Sequence, residues 1–257
     1  MERVSTKTQK MTLAAILSAI TIVLGITQIG FIPVGPIRAT ILHIPVILGA
    51  IFGGPIVGVI VGASFGIMSF LQAPTDPTFA PIWAIGGFRE IFLIAITAIV
   101  PRILIGLVSA YIFKATKLIS KKISMVIFIA VELLAIGFTI YQLVNNIINA
   151  QPYFVSIIIL VALLILIVAI IKDYGKYNMQ VVITAIVGTL TNTLLFILFA
   201  YNFFKFDFAT AFNIDVATVK NLWITAGVTN GLPEILVSIV LINYISIALF
   251  AFRKNRS

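Results

Sequence analysis

The chain has 257 residues, of which 61% are hydrophobic and 10% charged, against roughly 25% charged residues in soluble domains. Its mean hydropathy is +1.20, which excludes a soluble globular domain and describes a polytopic membrane protein. With no cysteine and one histidine, disulfides, thiol catalysis, thiolate metal sites and multi-histidine metal or haem centres are excluded, and no cofactor is expected.

A hydrocarbon core about 30 Å thick asks for about 20 apolar residues in a helix. On that basis the sequence predicts spans near 11–30, 41–53, 55–72, 92–113, 123–143, 153–172, 178–201 and 221–251. The leading "MERVSTKTQK" runs into the first span without a small-residue cleavage site, so no removable signal peptide is expected. The second span, "ILHIPVILGAIFG", is short for a crossing and reads as a tilted or partly re-entrant helix covered by its neighbours. The fold class is therefore all-α, a polytopic helical bundle forming one integral membrane domain over 1–257.

The net charge of +9 reads as a topology signal rather than a nucleic-acid footprint, because the lysines flank apolar spans. Of 17 cationic residues, 12 fall on one side of this scheme: Arg3, Lys7, Lys10, Lys114, Lys117, Lys121, Lys122, Lys172, Lys176, Arg253, Lys254 and Arg256. The expected orientation puts both termini in the cytoplasm and the protein in the cell membrane. Spans 123–143 and 153–172 form a pair joined by the uncharged "QLVNNIINAQP". Removing that pair leaves the orientation of everything else unchanged, as for an inserted hairpin.

Polar residues collect toward the external half. "GFIPVGPIRATILHIP" favours an ordered, non-helical loop, with Arg38 and His43 beside its prolines. "LQAPTDPTFAPIWAIGGFRE" is again proline-rich and holds Gln72, Asp76, Trp83, Arg89 and Glu90. A third external segment, "NFFKFDFATAFNIDVATVKNLW", is rich in phenylalanine and suits the membrane interface. Within the spans, "VGTLTNT" places Gly188, Thr189, Asn192 and Thr193 on one helical face. "GVTNGLPEIL" puts Asn230 and Glu234 on one face if the helix continues through Pro233; if it begins there, Asn230 belongs to a turn and Glu234 to a first turn.

A charge deep in the bilayer costs at least about 2.5–3.5 kcal/mol and ordinarily faces a polar interior. Arg102, 12 residues before Lys114, is such a charge. It either pairs with Glu234 or Glu90 to hold helices together or receives an anionic ligand group bidentately. Glu132 is buried in the hairpin and is expected to find a polar partner on a neighbouring helix. No phosphate-cradling Gly-rich lysine motif occurs, so any dependence on ATP rests with partners. In "MTLAAILSAI", Ala15 and Ala19 form a small-xxx-small pair suited to close helix approach.

The order of that pair, then "HIPVILGAIFGGPIVGVIVGASFGIMSFLQA", "VPRILIGLVSAYIFK", "VGTLTNT" and "NGLPE", resembles the substrate-binding S component of energy-coupling factor (ECF) transporters, and within them the pantothenate-type branch. The resemblance covers roughly 11–118 and 178–252. It implies a six-helix core that captures a small water-soluble vitamin from outside, with external loops as a lid. Ala15 and Ala19 would dock onto a transmembrane coupling subunit driven by two cytoplasmic ATPases, so the chain is a transport subunit and not an enzyme. Substrate contacts are expected from Arg102, Glu234, Asn230, Asn192, Arg38, His43, Arg89, Trp83 and Gln72. The chain departs from the pattern in the apolar pair at 123–172 and in "FREIF" ahead of the "PR" motif. The rival readings are a self-sufficient H⁺- or Na⁺-coupled transporter using Glu234 and Glu132, and an intramembrane enzyme, for which no nucleophile or metal constellation is evident.

Overall fold

The computed structural model describes residues 7–27, 30–34, 37–76, 78–150, 153–172 and 178–254. In chain order these form α1 (Lys7–Ile26), β1 (Phe31–Val34), β2 (Ile37–Thr40), α2 (His43–Gly53), α3 (Pro55–Gln72), α4 (Ala80–Trp83), α5 (Phe88–Thr116), α6 (Lys121–Ile148), α7 (Phe154–Lys172), α8 (Met179–Phe212) and α9 (Val216–Lys254). Seven of the helices, all but α2 and α4, are long and apolar enough to cross a membrane. The protein is a multi-pass helical bundle.

All 11 residues of α2 are buried, as suits a helix that is apolar all round and too short to span alone. The chain reverses at Gly54, whose φ of 85° lies in the left-handed region, and Pro55 starts α3 where its missing N–H costs nothing. At the far end of α3, the Gln72 amide donates to the Gly25 carbonyl at 2.7 Å, bringing the ends of α1 and α3 level.

The segment after α1 is the predicted non-helical one and takes a definite form. β1 and β2 pair as an antiparallel hairpin with Phe31 opposite Thr40 and Val34 opposite Ile37. The first helix stops at Ile26, short of the expected 30. The phenylalanine-rich segment expected as an external stretch is almost wholly helical. α8 runs on to Phe212, turns at Asn213 with φ 51°, and α9 begins at Val216. Asn is among the few residues that accept this left-handed cap. Asp215 caps the next helix by accepting from the Thr218 N–H at 2.6 Å, and the Thr218 hydrogen bonds hold its carboxyl below the usual range.

α3 and α5 form the most extensive seam in the bundle. Gly58, Gly62 and Gly66 recur every fourth residue on α3 and lie against the α5 backbone at Gly106, Arg102 and Ile99 respectively. A Cβ at Gly62 would strike the Arg102 carbonyl oxygen, and one at Gly66 would come 2.7 Å from Ile99 Cα. Close backbone approach of this kind is the use of small residues in membrane helix packing. α6 and α7 pack on each other and on α8 and α9, with Phe128, Leu166 and Ile170 entering the main apolar core.

Candidate functional site

Arg102 follows Pro101, which lies inside α5. Proline has no N–H, so the Thr97 carbonyl four residues earlier loses its helical donor. Arg102 replaces it: Nη1 donates to Thr97 O at 2.9 Å. The guanidinium is held between the Phe65 ring of α3 and the Phe196 ring of α8, 5.2 and 4.9 Å from their centroids. It is 8% exposed. Arg102 forms no ion pair among the described residues, and its Nε has no hydrogen-bond partner. Glu90 pairs instead with Arg89 at 2.9 Å, and Glu234, although it contributes with Asp76 to the field at Arg102, directs its oxygens elsewhere. The expected structural pair is therefore not formed, because Glu234 already has other donors.

α9 continues through Pro233, so Asn230, Glu234 and Ser238 share a face at four-residue spacing. Glu234 Oε1 accepts the Thr40 backbone N–H at 2.8 Å, and Oε2 accepts the Thr193 hydroxyl at 3.3 Å. One turn further, Ser238 Oγ lies 2.6 Å from His43 Nε2. Gly231 packs on Thr193 and Gly227 on Ile197, which lets α8 and α9 approach.

Between these helices is a set of buried polar atoms without hydrogen-bond partners among the described residues. Asn192 Oδ1 and Thr189 Oγ1 come from α8, Ser109 Oγ from α5 and Asn230 Oδ1 from α9. A Cβ at Gly188 would lie 2.6 Å from Ser109 Oγ, so the polar run follows the α5–α8 seam. Buried polar groups are ordinarily satisfied. Such a concentration of exceptions, on helices that also hold a buried cation without an ion pair, is chemically suited to an anionic, hydrogen-bonding ligand.

Glu234 and His43 lie within electrostatic reach of Arg102, while Asn192 and Asn230 stand one turn before Phe196 on α8 and Glu234 on α9. Gln72, Trp83 and Arg89 have other partners. Gln72 binds the end of α1, Trp83 packs on Phe70 at 5.7 Å, and Arg89 sits 60% exposed between Glu90 and Asp207. Arg38 lies in β2, and its side chain is outside the described part. Ala15 and Ala19 are both exposed on α1. Glu132 is buried, yet its Oε1 has no partner among the described residues, contrary to the expectation of a polar neighbour.

Sequence reasoning missed Phe65, Phe196, Thr97, Thr40 and Ser238. Three carried a signal: Phe196 stands four residues after Asn192, Thr97 four before Pro101, and Ser238 four after Glu234. Thr40 acts through its backbone, which no side-chain pattern reveals.

Residues 9–150, more than half of the chain, match the family model for the ECF transporter substrate-specific component, and the chain belongs to that family. It is also 33% identical over 89 residues to the pantothenic acid transporter PanT of Lactococcus lactis subsp. cremoris (strain MG1363). That match takes in 31% of this chain and 43% of PanT, so the chain spans less than half of that relative's length.

Proposed function

We propose that the protein captures a small carboxylate-bearing vitamin, pantothenate in particular, for an ATP-driven ECF importer. The observation that carries this reading is the buried guanidinium of Arg102, packed between two aromatic rings with no ion-pair partner among the described residues. Pantothenate offers a carboxylate to the cation and hydroxyl and amide groups to Asn192, Asn230 and their neighbours. The partial likeness to PanT supports the choice of vitamin.

In this reading the six helices α1, α2, α3, α5, α8 and α9 are the transport core and α6–α7 an appended pair. The chain lies in the cell membrane with both termini in the cytoplasm, as the distribution of lysine and arginine favours. It works with a transmembrane coupling subunit, which meets α1 at Ala15 and Ala19, and with two cytoplasmic ATPases. The chain itself makes and breaks no bond.

The test is direct. Protein purified in detergent is analysed by mass spectrometry for a co-purifying small molecule and titrated with pantothenate by calorimetry. Bound pantothenate, with uptake that requires ATP hydrolysis by co-purifying subunits, is the expected result. Proton- or sodium-driven uptake by the lone chain in liposomes overturns it.

A further inference from the structure

We infer that Glu234 is a positioning residue, a latch that ties the β1–β2 hairpin to the transport bundle at the rim of the Arg102 region. The role in uptake rests on the reading above; the latch itself does not. The geometry is specific. Ile41 N donates to Gly30 O at 2.8 Å, which makes Phe31 and Thr40 a non-hydrogen-bonded pair of the antiparallel ladder. The Thr40 N–H therefore points away from β1, and Glu234 Oε1 receives it at 2.8 Å across 194 residues of sequence.

On its other side the carboxylate shares the Thr193 hydroxyl of α8 with the Thr189 carbonyl, each acceptor at 3.3 Å. Three residues past Thr40 the chain is held again, by His43 on Ser238 one turn along α9. Two successive turns of α9 thus hold the junction between the hairpin and α2. Elsewhere in this segment the described backbone is tied by the β1–β2 ladder and, at its entry, by Gly30 N–H to the Leu24 carbonyl of α1. Breaking the Glu234 contact frees the hairpin's exit while leaving its internal ladder whole.

Glu234 makes no ion pair with Arg102 among the described residues, although its charge contributes to the field there. Its oxygens face a backbone amide and a hydroxyl instead, which leaves the Arg102 Nε open to a ligand anion.

The test uses the full-length protein in nanodiscs and measures amide hydrogen exchange across residues 37–42. Glu234→Ala removes the acceptor, and exchange there is expected to accelerate about ten- to hundredfold, the range for losing a hydrogen bond to a charged group. Glu234→Gln keeps a carbonyl oxygen for the Thr40 N–H and is expected to restore most of the protection. Thr40→Pro deletes the donor, which lies off the ladder, together with the hydroxyl that accepts the Leu42 N–H at 3.2 Å; read at residues 37–41, it should accelerate exchange as Glu234→Ala does. In parallel, radiolabelled pantothenate should leave Glu234→Ala faster than wild type, with the association rate changed less.

Unchanged exchange in both Glu234→Ala and Thr40→Pro overturns the latch, as does a Glu234→Gln variant that behaves like the alanine variant. Wild-type protein that fails to bind pantothenate, yet shows the exchange pattern, overturns the vitamin assignment and leaves the latch standing.

Discussion

The α3–α5 seam and the α6–α7 hairpin are both apolar helix pairs, yet they are built on opposite plans. In the seam, glycines at 58, 62 and 66 bring two backbones into contact, so the carbonyl of Arg102 itself is part of the packing surface. In the hairpin, the buried residues include the large apolar Phe128 of α6 and Leu163, Leu166 and Ile170 of α7, and Gly137 of α6 has open space around its missing side chain. Large side chains re-pack at modest cost, whereas a backbone-to-backbone contact has no flexible group that yields. The protein places its buried cation on the unyielding pair. A ligand-binding group needs a position fixed to within a fraction of an ångström.

That contrast can be broken most severely at Gly62. Gly62→Leu forces a side chain into the Arg102 carbonyl, at a cost above about 3 kcal/mol, and the folded protein should be lost from the monodisperse peak in size-exclusion chromatography. Recovery at wild-type yield with intact ligand binding would show that the seam is not rigid. Next in size is a change on the exposed face of α1. With Ala15→Leu and Ala19→Leu combined, uptake in cells should disappear while pantothenate binding to the purified protein stays as it was. Persistent uptake removes the docking role.

Arg102→Ala leaves the glycine contacts of the seam in place but strips the Thr97 carbonyl of its donor. Ligand affinity should fall by about 2–5 kcal/mol, the range for truncating one member of a buried charge pair, and calorimetry should register this as a larger change than any in membrane yield. If yield collapses and residual protein binds normally, Arg102 is structural.

Two milder changes sharpen the other side of the comparison. Glu132 carries a buried carboxylate oxygen without a partner, so Glu132→Leu should stabilise the protein by about 1–3 kcal/mol, raising the thermal midpoint by a few degrees. A lowered midpoint would mean that the carboxylate is engaged. Gly137→Ala meets nothing within 4 Å and should gain at most about 1 kcal/mol from helix propensity, read in the same thermal scan. The equivalent change at Gly62 should lower the midpoint.

Hydropathy made the long helices legible, and with them the odd charge of Arg102, because each is a property of a window of side chains. The rest depended on groups that such windows do not contain. Glu234 is engaged by a backbone N–H, Arg102 by a carbonyl that Pro101 leaves free, and the α3 glycines by the backbone of another helix. α8 and α9 run past the expected ends at 201 and 221 for a related reason. The phenylalanines after 201 fit both an interface and a helix, and the break at Asn213 is decided by one residue's backbone angle.

The two flanks of the bundle bear on how such a protein can change over generations. α1 packs on α2 and α3, while the hairpin packs on α8 and α9, so lengthening or trimming residues 121–172 leaves the α1–α2 and α1–α3 seams as they are. One flank is therefore free to drift without renegotiating whatever meets the other.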